Sequence, residues 1–230
     1  MKDRTYRLIA NLLNPFIWNG ELTGKENLPC QGPAVFIANH PEKAGPMALN
    51  CALPVRVYTW VMAEMYDKDL APAYLEKDFT VRQLHLKPPV SRWLSISLCK
   101  IAVPLFHSAG CVPVYRGDRK QIEETYARSL ELLQQRFFIA IFAEDNQLSR
   151  DPVTNMYPFM HSFVRLAEMY HATTGKCLEF YPVAIHESKH MKIGHPETYD
   201  PLQPVPLERR RLKQAMENCI KTMYMELNEV

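Results

Sequence analysis

The chain has 230 residues, 47% of them hydrophobic and 23% charged, which describes an ordinary globular domain and excludes a disordered or fibrous chain. Lysine plus arginine exceed aspartate plus glutamate by only 27 − 25 = +2, so no charge excess points to nucleic acid as a partner. A domain of this size buries roughly 70% of its unfolded surface and needs no staple; its six cysteines, scattered with no Cys-x-x-Cys pair, read as free thiols in a reducing cytoplasm.

Tyr6, Ile9, Leu12, Leu13, Phe16 and Ile17 recur at three- and four-residue spacings and predict an amphipathic helix over residues 1–18, ended near Pro15. Such a helix either packs on the body of the domain or lies in a membrane interface. Residues 19–230 read as one α/β domain. Trp18 to Leu28 looks like a strand and turn, and Ala34 to Ala38 is a short apolar run suited to a strand buried on both faces. Gly45-Pro46 opens a helix, with the glycine at the cap, and Val55 to Met62 is the next strand. Residues 67–90, rich in charge and proline, read as an insertion. Trp93 to Phe106 is predicted helical and Val112 to Tyr115 extended. Ile122, Tyr126, Leu130 and Leu133 mark a helix over 119–135, followed by a strand over Phe137 to Phe142. A helix over Phe159 to Tyr170, a strand over Leu178 to Ile185 and an extension over Met191 to Gly194 follow, and Pro206 opens a last helix.

This alternation predicts a mostly parallel or mixed central sheet flanked by helices. No signal peptide is read at the start of the chain. The most lipid-like stretch, Leu94 to Val114, is interrupted by Lys100, Pro104, His107 and Pro113, so a spanning helix is not expected.

Three short segments carry chemistry. Asn39-His40 directly follows the buried strand 34–38, and loops at the carboxyl ends of such strands are where α/β sheets bind ligands. A histidine there suits a general base, because its ordinary pKa lies near neutrality. Gly110 to Arg116 is a strand that delivers an arginine, whose planar fork matches phosphate oxygens or pairs with a neighbouring acid such as Asp118. Phe142-Ala143-Glu144-Asp145-Asn146 ends another apolar strand with two adjacent carboxylates, which need partners if buried.

In order and context these segments resemble the glycerolipid acyltransferases, a family that moves a fatty acyl group from a thioester onto a lysophospholipid or glycerol phosphate. The resemblance runs from about Gly20 to about Tyr199. Gly24 to Pro29 is similar to the family's lead-in, Gly32 to His40 to its first block, and 110–116 to its second, which ends in a phosphate-binding arginine. Phe142 to Asn146 stands where the family carries Phe-Pro-Glu-Gly-Thr, Tyr181 to Ile185 resembles the fourth block, and Ile193 to Pro196 the strand after it. The resemblance implies His40 as general base, with Asn39, Arg116, Glu144, Asp145 and Asn146 at the substrate. It implies no cofactor or metal, acyl-CoA or acyl carrier protein as donor, and a peripheral place on the cytoplasmic face of a membrane, in contact with its lipids.

The chain also departs from the pattern. The family's first motif is His, four residues, then Asp, whereas the fifth position after His40 is Gly45. Without that carboxylate the imidazole is a poorer base unless Glu42, Asp145 or Asp151 replaces it. Asp145 stands in place of a glycine and Ala143 in place of a proline, which puts a negative charge where phosphate would approach. Two alternatives to acyl transfer therefore stay open: a lipid-binding homologue with impaired catalysis, and a thioester hydrolase. His186-Glu187-Ser188-Lys189-His190 spells a zinc-protease motif, but it follows a strand where a helix is required. Arg209-Arg210-Arg211, near the start of the last helix, reads as a solvated face or a contact for anionic lipid.

Overall fold

Helices and strands alternate along the whole chain in the computed structural model, which describes residues 2–41 and 45–228. In chain order they are α1 (Asp3–Ile17), β1 (Glu21–Thr23), β2 (Ala34–Ala38), α2 (Gly45–Ala52), β3 (Val57–Met62), α3 (Ala63–Tyr66) and α4 (Ala71–Leu75). Then follow α5 (Val90–Ala109), β4 (Val112–Val114), α6 (Arg119–Gln134), β5 (Phe138–Phe142) and α7 (Arg165–Thr174). The chain ends with β6 (Glu179–Ile185), β7 (His190–Ile193), β8 (Glu197–Thr198) and α8 (Val205–Leu227).

Among the described residues the strands form a single mixed sheet in the order β1-β7-β6-β2-β5-β3-β4, with β8 also paired to β6. Neighbours from β6 to β4 run parallel, and only β7 and β8 pair antiparallel to β6. The expected α/β architecture is thus the observed one. Strand β2 occupies the middle, and every one of its residues is fully buried. Its alternate side chains reach opposite layers. Val35 and Ile37 join a core with Leu132, Phe163, Leu212 and Ile220 from the α6, α7 and α8 side. Ala34, Phe36 and Ala38 join Trp18, Leu49, Tyr181 and Val183 on the α1 and α2 side. A period of two with both faces apolar reads in sequence as an unbroken apolar run.

Parallel strands place their carboxyl ends along one edge. Ala38 is level with Phe142, and Met62 with Val114. His40, Glu144 and Arg116 therefore leave the sheet at similar height on β2, β5 and β4. The lateral order separates them: β5 adjoins β2, whereas β4 lies three strands from β2, about 14 Å at ordinary strand spacing.

Two helical expectations shift. The helix expected from Phe159 begins only at Arg165, after a 3-10 turn at Ser162–Val164. Phe159 is instead bridged to Glu144, and its N–H donates to the buried carboxylate of Glu217 on α8 at 3.1 Å. Gly45, expected as a cap, is itself the first residue of α2. Within 67–90 the chain forms α4 and a π-helical turn at Glu76–Val81. The buried Thr80 hydroxyl lies 3.0 Å from Ser95 Oγ and donates to Ser91 O, tying this excursion to α5.

Helix α1 packs with Tyr6 buried and Leu13 and Ile17 against the core, while Leu8, Leu12 and Phe16 stay exposed. Arg56 joins it to α5. Its guanidinium donates to Asp3 Oδ1 at 2.8 Å and to Ala109 O at 2.9 Å, and lies over the Tyr58 ring at 4.5 Å. Ala109 is followed by Gly110, which ends α5 at φ 79°, where a Cβ would also meet the Tyr58 ring at 3.0 Å. Glycine satisfies both demands.

Candidate active site

The cleft at the carboxyl edge of β2 is lined by Asn39, His40, Pro41, Glu144, Arg150, Thr154, Asn155, Met156, Glu187 and Tyr224. They come from the segment after β2 (Asn39 to Pro41), the loop after β5 (Glu144, Arg150 and Thr154 to Met156), the β6–β7 turn (Glu187) and α8 (Tyr224). Asn39 is the first residue beyond β2, and its buried side chain continues the ladder where the backbone stops. Its Oδ1 accepts the Ile185 N–H at 2.7 Å and its Nδ2 donates to Ile185 O at 2.9 Å. Both ends of the amide are thereby committed to β6, so Asn39 fixes where the next residue emerges.

That residue is His40, which is exposed. Its ring stands edge-on to Phe142, with centroids 5.2 Å apart and planes at 69°. Its backbone N–H donates to Glu144 Oε1 at 2.6 Å, while Glu144 Oε2 accepts the Tyr157 N–H at 2.9 Å. One carboxylate thus holds the loop after β2 to the loop after β5. Burial raises the Glu144 pKa above the ordinary carboxylate value, opposed by these two N–H donors. The carboxylate is therefore a positioning group whose oxygens face backbone.

Asp145 closes its own turn, accepting the Gln147 N–H on Oδ1 at 3.1 Å while its N–H donates to Pro158 O at 2.9 Å. Its φ is not positive, so the freedom of the glycine expected there is not used. Ala143 donates its N–H towards Ala38 O at 3.4 Å, a bond that proline lacks. Asn146 is exposed on the same turn. Arg116 is exposed at the far strand and does not line the cleft.

Of the acids considered as substitutes for the family's aspartate, Glu42 lies outside the described residues. Asp151 is engaged elsewhere: its Oδ1 accepts the N–H groups of Val153 and Thr154, and its Oδ2 accepts from Lys221 at 3.0 Å. These partners hold the Asp151 pKa well below the usual carboxylate range.

The cleft contains residues that the sequence reading did not select. Arg150 sits on the loop after β5, its guanidinium 4.5 Å above the Tyr157 ring and its Nη1 donating to Asn155 Oδ1 at 3.2 Å. Thr154 and Tyr224 carry no local signal; Arg150 carries one, a basic residue shortly past the third block. Glu187 enters only as part of the discarded zinc motif. That motif is a hairpin turn between β6 and β7, closed by His186 N–H to His190 O at 2.8 Å. Its two imidazoles meet Ser188 Oγ at 2.6 and 2.9 Å. Arg209 and Arg211 are consumed internally, by Glu168 at 2.6 Å and by the buried Glu208 at 2.7 Å.

A second cavity, of about 660 Å³, runs beneath α5 and is lined by Lys68, Pro72, Ile96, Cys99, Lys100, Val103, Pro104, His107 and Ser108. Lys68 and Pro72 follow the carboxyl end of β3, which places this groove at the β3–β4 side of the same sheet edge.

No family model matches the chain. No curated protein matches it either. Among solved structures, the crystal structure of the 1-acyl-sn-glycerophosphate (LPA) acyltransferase PlsC from Thermotoga maritima is similar at 15% identity, with a TM-score of 0.58, covering 99% of this chain and 84% of that one. At that identity the likeness is one of fold, and it extends over essentially every element described above.

Proposed function

We propose that this protein transfers a fatty acyl group from an acyl thioester, on coenzyme A or acyl carrier protein, to a hydroxyl of a lysophospholipid, glycerol phosphate or related lipid. The observation that carries the reading is the exposed His40 imidazole at the end of the central strand, on a fold shared with an LPA acyltransferase over 99% of the chain. In this reading His40 takes the proton of the acceptor hydroxyl. The oxygen attacks the thioester carbonyl, the new C–O bond forms, the C–S bond breaks, and the proton passes from the imidazole to the departing thiolate. Glu144 and Asn39 hold the histidine's backbone so that this geometry is pre-set. The chemistry calls for no metal or cofactor.

The His40 cleft offers only about 20 Å³ of room, too little for a hydrocarbon chain. The larger apolar groove beneath α5 is of the size that takes a ligand, and it supplies a place for the acyl chain. Leu8, Leu12 and Phe16 on α1, with Trp93 and Ile101 on α5, are large exposed apolar side chains that suit a membrane surface. No helix among the described residues is long and apolar enough to cross a membrane.

A second reading rests on one observation, the glycine at position 45 where the family carries its aspartate: the protein binds lipid without turning it over. Incubation with radiolabelled acyl thioesters and a panel of lipid acceptors tests both. Acylated acceptor from wild type and none from His40→Ala is the expected result. Vesicle binding with no product from either protein establishes the second reading, and free fatty acid without acylated acceptor identifies a hydrolase.

A further inference from the structure

We propose that the β6–β7 hairpin is a proton-operated latch on one wall of the His40 cleft, closed while His186 is neutral and released when His186 takes up a proton. The latch stands on hydrogen-bond geometry; its effect on turnover rests on the acyl-transfer reading and names a regulation of that site. The hairpin reaches the cleft through Glu187, and α8 reaches it through Tyr224. His186 joins the two. Its ring stands edge-on to Tyr224 with centroids 4.6 Å apart, and its Nε2 lies 2.7 Å from Asn228 Oδ1.

The direction of each bond follows from counting protons. The Ser188 N–H donates to His186 Nδ1 at 3.1 Å, so that nitrogen carries a lone pair and the ring's proton sits on Nε2, where it donates to Asn228. The Ser188 hydroxyl has one proton, and its Oγ lies 2.6 Å from His186 Nδ1 and 2.9 Å from His190 Nδ1. His186 Nδ1 has no proton to give, so the hydroxyl donates to it and His190 Nδ1–H donates to Oγ. His190 Nε2 then faces Glu21 Oε2 at 3.6 Å, across the β1–β7 pair in which Glu21 and His190 are level.

A first proton therefore enters at His190, breaks none of these bonds and places a cation beside the Glu21 carboxylate. A second has to enter at His186 Nδ1, which already receives two donors. It would set an N–H against the Ser188 N–H and a second positive charge across one oxygen from His190. Relief requires the ring to turn out of the hairpin, which gives up Asn228 and the Tyr224 edge and loosens that wall of the cleft. The surrounding groups leave this order in place. Glu187 and Lys189 are exposed on the hairpin, and Lys192 of β7 is committed to Glu226 of α8 at 2.7 Å. Tyr224 stays protonated, because burial raises its pKa and Glu187 and Glu144 add to the rise. Across the cleft stand His40, Arg150 and Glu144, whose oxygens are bound to backbone. Imidazoles gain protons between about pH 5 and 8, so release falls on the acid side of neutrality.

Nitrogen NMR of the two rings tests the latch without any substrate. At pH 8 His186 is expected as the Nε2–H tautomer and His190 as the Nδ1–H tautomer. On acidification His190 should protonate first and His186 about half a pH unit lower or more, with the amide signals of Ser188 and Asn228 moving in the second step only. His186→Asn offers an Oδ1 to the Ser188 N–H, as in an Asx turn, but no titrating nitrogen, and the acid step at Asn228 should vanish. Ser188→Ala removes the hydroxyl between the rings, and His186 should then protonate closer to His190. In the transfer assay, protonation of His40 alone gives log kcat/KM an acid limb of slope about one. The latch adds a second proton, so wild type is expected to fall with slope about two and His186→Asn with slope about one. The two-step titration with its Asn228 step, in a protein that turns nothing over, supports the latch while sinking acyl transfer. Turnover with an acid limb of slope one and no Asn228 step sinks the latch alone. His186 protonating first, an Nδ1–H tautomer of His186 at pH 8, or an Asn228 step that survives in His186→Asn overturns the proposal.

Discussion

Glu144 Oε1 accepts the backbone N–H of His40 at 2.6 Å, so a side chain leaving β5 fixes the backbone leaving β2. The second oxygen of the same carboxylate is bound to the Tyr157 N–H, which leaves little freedom for either loop. Glu144→Gln keeps an acceptor for one of these N–H groups but turns an NH₂ towards the other. The expected outcome is a folded protein with roughly tenfold lower kcat/KM for acyl transfer or more, since a charge-assisted bond contributes about 1.5–3 kcal/mol. Amide exchange should accelerate at His40 or Tyr157. A variant with wild-type rates and unchanged exchange at both amides rejects the positioning role.

The position of Gly45 leads to the next prediction. It is the first residue of α2, five positions past His40, and an aspartate there restores the spacing of the family motif. A carboxylate in the first turn also complements the helix dipole, worth about 0.3–1 kcal/mol. If the loss of that acid limits the base, Gly45→Asp raises kcat by about tenfold or more, within the range of general-base contributions. The same change in a His40→Ala background should give no gain. A rise in thermal midpoint with no rise in kcat shows that the acid at this position does not serve the imidazole.

How far the chain could be read without coordinates depended on the range of the signal. β2, β5 and β6 were legible because strands buried on both faces leave unbroken apolar runs, and the loops carrying His40 and Glu144 directly abut them. Arg116 could not be placed, because lateral strand order is set by which helix faces pack, which no local pattern records; β3 separates β5 from β4 although β4 precedes β5 in the chain. Asp145 could be misread as a repulsive charge because its use in an Asx turn depends on the path of the next two residues. Arg150 and Thr154 were missed for a related reason. Asp151 folds their loop back towards β2, and that closure is completed by Lys221 from the last helix.

Asp151 gives the chain a pH dependence whose sign is determined. Its pKa is depressed in the folded protein, first by the Thr154 N–H, then by Lys221 and the Val153 N–H. A depressed acid stabilises fully above its unfolded value, near 3.9, and that contribution disappears as pH falls through the region below it. Asp151→Asn retains an acceptor for the turn but loses the charge facing Lys221. Urea unfolding from pH 7 to pH 3 should show wild type losing more stability than the variant across the acid limb. At pH 7 the variant should be weaker by about 1 kcal/mol, as suits a partly exposed pair. Parallel stability curves for the two proteins exclude this linkage.

The cysteines offer a probe of the packing around α5 and β4. Cys51, Cys99 and Cys111 are buried, and burial pushes the thiols of Cys51 and Cys111 up to about 11. At pH 8 only about a thousandth of such a thiol is thiolate, and burial denies reagent access to the rest. Cys30 and Cys177 are exposed. Iodoacetamide on the native protein should therefore label Cys30 and Cys177 first, with the buried three modified only in step with unfolding. Cys111 is the informative member, since it follows the α5 cap at Gly110 and the Arg56 guanidinium bonds the carbonyl just before that cap. Arg56→Ala should selectively speed the labelling of Cys111 over that of Cys51, because losing the tie between α1 and the end of α5 lets the α5–β4 corner open locally. Equal acceleration at both sites shows instead that Arg56 supports the whole domain and not this corner.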